Sequence, residues 1–470
     1  MAASVLELDA PDLLPGATRD LATFVATLSY EQIPAEVVAH VKELILDNLG
    51  VIIFGNQTPW GKMVAEMAME AGARPYCTIF GGSNKTSAPL AALANATGGH
   101  GFEFDEIHPD GGHHPGSIII PVVLALAESG GACTGRDFIT STVAAYEVGL
   151  RVGMATGSGL FYRGHHPQGS TGVFTAATAA SKVIGLDVEK TQNALGIAGS
   201  FASGLMAAQE GSMVKRMHAG AAAQNGIYGA LLARKGFTGI HNVLEAPFGG
   251  FLQTFSSSPA TEHLLADLGA RWETLNVAYK PYSTVASIHT ALDGLLVIMR
   301  GNGISADDVE SIDVGCSKVT YRHCAWEYKA LGLISAQMNL FYCLAVVAID
   351  GDAGIHQFSD GRLNEGRVLD MIPRMHAHID NEIDAMGRSF RHGCSITLTT
   401  KDGRSFKRRE LHRRGTRENP PQPGDIEEKF RTVAGTVMDE KTISNIWSFI
   451  QELEKKESLD DLFQYLSRSQ

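Results

Sequence analysis

The chain has 470 residues, 44% hydrophobic and 19% charged, with 51 Gly and 17 Pro: enough apolar material for a sizeable core over two domains, and too much for a disordered chain. With 39 Lys and Arg against 51 Asp and Glu the net charge is -12, which opposes attraction to nucleic acid or an anionic membrane, so a small anion would need a locally basic pocket. The six cysteines are scattered without a Cys-x-x-Cys pair, so that neither a disulfide framework nor a structural zinc site is indicated and buried free thiols are expected.

The N-terminus, Met-Ala-Ala-Ser-Val-Leu-Glu-Leu-Asp, has no basic stretch followed by an apolar one, and no later segment offers about twenty uninterrupted apolar residues. The expectation is a soluble cytoplasmic protein with no membrane partner, a mitochondrial address being left open. From residue 17 to 240 the pattern is helical almost throughout. Pro34 opens a helix on which Val37, Val38, Val41, Leu44, Ile45 and Leu49 form a buried stripe, and Gly55 and Asn56 are stop residues. Segments rich in small residues follow at Ala88 to Ala96, Ala176 to Ala180, Ala194 to Gly204 and Ala219 to Ala223, predicting a tightly packed bundle.

The texture changes after residue 275. Ser311 to Ser317 and Ser395 to Thr399 alternate with the strand period, the second running into the turn pair Asp402-Gly403. Between them Ser335 to Ile349 reads as an apolar helix ending at Gly351. Beyond Pro420, Pro421 and Pro423 the helical period returns through Ile426 to Leu466. The expected fold is mainly α: a large, discontinuous helical domain, residues 1–275 and 411–470, with a smaller α/β domain, 276–410, inserted in it.

Four segments can carry chemistry. The densest runs from His100 to Ser117, with four His and four carboxylates in eighteen residues on a Gly/Pro-rich connection. Ser117 is placed to cap the next helix, whose N-terminus would offer N–H groups to an anion. The others are Arg163 to Gly172, with His165 and His166; Met213 to His218, three basic groups in an acidic chain; and Tyr279-Lys280-Pro281-Tyr282 with His289 beyond, at the domain boundary. No phosphate-binding loop, dinucleotide fingerprint or nucleophile elbow is present. Asp105, His108, His113 and His114 have the atoms to ligate a metal, but not in a spacing that defines a metal site.

These blocks, taken in order (His100-Gly101-Phe102-Glu103-Phe104-Asp105-Glu106, His114-Pro115-Gly116, Gly164-His165-His166-Pro167, Met213-Val214-Lys215-Arg216 and Tyr279-Lys280-Pro281-Tyr282), resemble the signature blocks of the MmgE/PrpD family, whose reactions include 2-methylcitrate dehydration, cis-aconitate decarboxylation and iminodisuccinate epimerisation. The resemblance runs from residue 17 to the C-terminal helices. Gly204 to Gln209, Met213 to Arg216 and His323-Cys324-Ala325-Trp326 look most like the branch that decarboxylates cis-aconitate.

The resemblance implies that the smaller domain is a lid, that the chain forms a homodimer, and that catalysis on a small polycarboxylate needs no cofactor and no metal. It carries catalytic roles to Asp105, His114, His166, Lys215 and Lys280, and substrate contacts to Glu103, with His108, Arg216, Tyr282 and His289 beside them. The chain departs from the commoner pattern at Glu106 and Ile107, where many members have Asp-Thr, and at Gly116, where dehydratases have Ser. Decarboxylation is the expected reaction, dehydration and epimerisation the alternatives within the family. A metal-dependent enzyme and a non-catalytic carboxylate binder are the alternatives outside it.

Overall fold

The computed structural model describes residues 14–130 and 133–467; the N-terminal stretch read above for targeting lies outside the described residues. The described residues are mainly helical, with a four-stranded mixed sheet and a short antiparallel pair, Cys77–Thr78 with Lys85–Thr86. They fall into two compact units, one taking the described residues of Met1–Gly101, Asp105–Val277 and Ile426–Gln470, the other Phe102–Phe104 and Ala278–Asp425.

In the first unit the Ala35–Gly55 helix follows Pro34, buries Val37, Val41, Leu44, Ile45 and Leu49, and is capped at Asn56. Its Asp47 forms a buried ion pair with Lys429 at 2.7 Å, which ties the C-terminal segment to this first long helix. The Val214–Arg234 helix packs on the Ala88–Gly99, Gly172–Val183 and Val188–Gly199 helices. Small residues make this possible: Gly226 lies so close to Ala176 that a β-carbon there would overlap it. The small-residue run from Ala194 stays helical only to Gly199, with Ser200 at its C-cap; further on Gly204 takes φ 99°, a left-handed conformation, and its carbonyl accepts from the His166 N–H at 3.0 Å.

In the second unit the strands Met375–Ile379, Val309–Cys316, Cys394–Thr400 and Ser405–Glu410 lie in that order, the first pair parallel and the others antiparallel. Cys394, Ile396, Leu398 and Thr400 alternate onto the buried face, and the His289–Asn302 helix packs on the last two strands. Gly403, with φ 87°, supplies the left-handed residue of the turn between them. The apolar segment after Ser335 is two helices rather than one, Leu333–Met338 and Leu340–Asp350. Asn339 divides them because its extended backbone lets Oδ1 accept from the Tyr342 N–H at 2.9 Å, capping the second helix. All six cysteines are free and buried, and among the described residues no helix is long and apolar enough to cross a membrane.

Candidate active site

The Ala88–Gly99 helix ends on His100, and five residues later Asp105 turns back beneath it. The fully buried Asp105 carboxylate reaches two imidazoles, with Oδ2 2.7 Å from Nδ1 of His100 and Oδ1 3.4 Å from Nδ1 of His114. The two rings lie with centroids 5.0 Å apart. His114 is fixed through its backbone: its N–H donates to Oε1 of Gln168 at 2.9 Å, and its carbonyl accepts from Nε2 of Gln168 at 2.9 Å and from Oγ of Ser117 at 2.8 Å.

His166 precedes the short Pro167–Ser170 helix and faces His100 at 5.7 Å between ring centroids. Its Nδ1 lies 2.8 Å from Nδ1 of His218, so one of the two nitrogens donates and the other accepts. His218 projects from the Val214–Arg234 helix, whose first turn also carries the buried Lys215 and Arg216; Nη1 of Arg216 donates to the His100 carbonyl at 3.5 Å. Two imidazoles, His100 and His114, thus flank the carboxylate, and His166, with Lys215 and His218 beside it, extends the cluster from His100.

Electrostatics follow from burial. Desolvation would raise the Asp105 carboxyl, but the neighbouring His114 and His100 hold it well below the usual range. Burial pushes His100 down to about 4 despite the pull of Asp105, and burial together with His100 and Lys215 holds His166 well below its ordinary value. His113, bonded at Nε2 to Thr175, is pushed by burial down to about 3. A histidine whose folded pKa is depressed binds fewer protons folded than unfolded between the two values, so its contribution to stability is lost as pH falls from about 6.5. Glu106, raised by burial and by Asp105 to about 7, and Glu147 and Asp293, also raised by burial, act in the opposite sense but are outnumbered by the depressed imidazoles. The melting temperature is therefore expected to drop by more than about 5 °C between pH 7.5 and pH 5. An unchanged melting curve would show that these imidazoles titrate normally.

The helix expected from Ile118, behind a Ser117 cap, begins two residues earlier, Gly116–Gly130, and Ser117 lies within its first turn as a donor to His114. The leading N–H is not free for an anion, because Gly116 donates it to Oε1 of Glu106 at 2.5 Å. Tyr146 donates to the same oxygen at 3.2 Å. A β-carbon on Gly116 would fall 2.3 Å from Nδ2 of Asn48, 2.5 Å from that oxygen and 2.7 Å from the Tyr146 hydroxyl. Glu106 thus fills part of the space that a serine at 116 would need, together with Asn48 and Tyr146. Gly116→Ser is expected to cost about 1–3 kcal/mol through overpacking, and Glu106→Asp in the same chain to restore part of the lost melting temperature. Equal melting of the single and double variants would break that coupling.

The other sequence candidates lie in different surroundings. Glu103, Tyr282, Lys280 and His289 belong to the second unit. Glu103 has φ 56°, a costly conformation for a residue with a side chain, and Nζ of Lys280 donates to its carbonyl at 3.1 Å while lying 3.5 Å from its carboxylate. Tyr282 donates to Oδ1 of Asp293 at 2.8 Å, with the His289 ring at 5.3 Å. His108 is engaged elsewhere in the first unit: Nδ1 accepts from the Gly111 N–H at 2.8 Å, and Nε2 lies 3.7 Å from Glu273.

Sequence reasoning gave no separate role to His100, His218 or Gln168. His100 and His218 were inside the polar blocks, but nothing in their spacing tells that they meet Asp105 and His166. Gln168 neither titrates nor carries charge, and reaches 54 residues along the chain to hold His114. The described side chains that can hold a metal together are His100, Asp105 and His114, with ligand atoms within 4.8 Å of one another, rather than a set including His108 and His113.

A helical scaffold that buries a charged carboxylate among imidazoles, a lysine and an arginine is equipped to move protons on an anionic substrate. The MmgE/PrpD N-terminal domain model matches residues 19–263 and the MmgE/PrpD C-terminal domain model residues 282–455. Similar proteins include the cis-aconitate decarboxylase of Aspergillus terreus, 30% identical over 96% of both chains, and a cis-aconitate decarboxylase-like protein of Aspergillus oryzae, 31% identical over 96% of this chain and 97% of that one. The human cis-aconitate decarboxylase is 27% identical over 95% of this chain and 93% of its own. The chain belongs to the MmgE/PrpD family, and is an enzyme of the lyase class.

Proposed function

We propose that the chain releases carbon dioxide from a small unsaturated polycarboxylate, as in the decarboxylation of cis-aconitate, by acid–base chemistry that needs neither metal nor organic cofactor. The observation that carries this reading is the buried Asp105 carboxylate set between His100 and His114, with Lys215 close enough to depress the neighbouring imidazoles. Lys215 holds a carboxylate of the substrate, with Arg216 and His166 orienting it. As the carbon–carboxylate bond breaks, its electron pair passes into an enolate-like anion, which fixed positive charge stabilises. His114 delivers a proton to carbon and regains one from solvent, while Asp105 steadies the charged imidazole. The relatives named as cis-aconitate decarboxylases, and the Gly116 that replaces the serine of dehydratases, favour loss of carbon dioxide over loss of water.

Proton NMR in deuterium oxide tests this directly, with cis-aconitate, citrate, methylcitrate and aspartate-derived acids each mixed with the protein. A deuterated decarboxylation product from cis-aconitate is expected. Loss of water, or exchange with inversion and no loss of carbon dioxide, would replace the reaction with one of its two family alternatives. Activity lost on chelation and restored by a divalent ion would overturn the metal-free reading, and His100, Asp105 and His114 would then be the first ligands to examine.

A further inference from the structure

We propose that Arg413, with His289, His392 and Lys280, forms a pocket in the sheet-bearing unit that binds a carboxylate group of the substrate. The inference rests on the proposed function for the nature of the ligand, a small polycarboxylate, and adds to it a binding group that no sequence block marks.

Arg413 is 4% exposed, yet among the described residues its guanidinium has neither a hydrogen-bond acceptor nor an ion-pair partner, and its Nη1 is wholly buried and unsatisfied. A guanidinium withdrawn from water without a partner is expensive, which makes it a group kept for something that arrives later. The two nearest acids do not serve it. Asp293 accepts from Tyr282 and from the Arg414 N–H at 2.9 Å, and Glu418 is exposed.

The surroundings are basic. Gly415, with φ 96°, brings the Arg413 segment against Tyr279 and Lys280: its carbonyl accepts from the Tyr279 N–H at 3.0 Å, and a β-carbon there would strike the Tyr279 carbonyl. Oγ1 of Thr290, next to His289, donates to the His392 carbonyl at 2.5 Å and draws the two histidines together. Nδ1 of His289 and Nδ1 of His392 are buried without partners, like Nη1 of Arg413. Burial and the charge of Arg413 depress both imidazoles, His289 also feeling Lys280 and His392, and His392 feeling Arg391 and His323. Burial and Arg391 in turn bring Arg413 down to about 10. In a chain of net charge -12, Arg413 is a buried cation without an anion of its own among the described residues, whereas Lys280 has the Glu103 carboxylate at 3.5 Å and His289, whose Nε2 donates to the Thr284 carbonyl at 3.3 Å, keeps only an acceptor at Nδ1. A planar carboxylate matches the guanidinium fork, with Nδ1 of His392 as a second donor where it carries the ring proton.

The test is calorimetric binding of cis-aconitate, citrate, acetate, inorganic phosphate and sulfate to the full chain carrying His114→Ala, which slows turnover, with and without Arg413→Met or Arg413→Lys. Arg413→Met is expected to weaken the polycarboxylates on the order of 10- to 100-fold, the worth of charge-assisted hydrogen bonds, and Arg413→Lys to recover part of the loss. Without ligand, Arg413→Met should melt at or above the parent temperature, because an unpaired buried charge has been removed. Unchanged polycarboxylate affinity, a lower melting temperature without ligand, or phosphate and sulfate binding as tightly as citrate would each overturn the proposal. If the acids bind in an Arg413-dependent way but the wild-type chain turns none over, the pocket stands and the proposed reaction falls. If turnover of cis-aconitate is indifferent to Arg413→Met, the reaction stands and the pocket falls.

Discussion

His114→Ala is expected to lower kcat for the physiological acid on the order of 10²-fold or more while changing substrate binding only a few-fold. The asymmetry follows from how His114 is held. Its backbone is clamped at both polar atoms by Gln168, and its carbonyl also takes the Ser117 hydroxyl, so truncation of the ring leaves the loop in place. What is lost is the imidazole whose Nδ1 stands 3.4 Å from the Asp105 carboxylate, the group assigned to give a proton to carbon. Steady-state kinetics with carbon dioxide release as the signal measure the effect. A variant that keeps more than about a tenth of wild-type turnover would remove His114 from the acid–base role, and His166, which faces the same His100 ring, would be next to test. A rise in KM with kcat intact would instead place His114 among the binding groups.

The parts of this protein that sequence makes legible are those whose signal is local. The stripe from Val37 to Leu49, the alternation from Ser395 to Thr399 and the Asp402-Gly403 turn each state their structure within a few residues, and each is found there. Local signals also mislead where a single residue overrides a pattern. Asn339 looks like a polar interruption in an apolar helix, but its side chain competes for a backbone N–H and starts a new helix. The block from His100 to His114 announces chemistry by composition, yet its internal geometry depends on partners 50 or more residues away: Gln168 on His114, and His166 on His100. Arg413 is harder still, since its distinguishing property is having no partner among the described residues, and no pattern of neighbours in sequence can express that. The family pattern names substitutions at positions 106 and 116 separately; only the contact between Glu106 and Gly116 joins them.

The contact of greatest consequence beyond His114 is the one that Asp105→Asn removes, because that change keeps the shape of the side chain and deletes only its charge. Asp105 lies wholly buried with one oxygen toward each of two imidazoles, so an amide must offer its N–H₂ group to a nitrogen that now faces a carboxylate oxygen. At least one ring then loses its partner or its tautomer. A loss in kcat on the order of 10²- to 10⁴-fold is expected, the range seen when an orienting carboxylate is neutralised. His100, already brought down to about 4 by burial, loses the anion that pulled it back up, and becomes still harder to protonate. Stability supplies a second readout with a defined sign. The folded-state carboxyl of Asp105 is held well below its unfolded value of about 3.9, so its contribution is fully present above that pH and is lost as pH falls toward the folded pKa. The variant should therefore melt below the wild type at pH 7, by an amount matching about 1–3 kcal/mol for a charged hydrogen bond, and the gap should narrow below pH 4. A variant that is inactive but shows the same gap at both pH values would mean that Asp105 acts through packing alone, and would shift the charge that steadies the imidazole to another residue of the cluster.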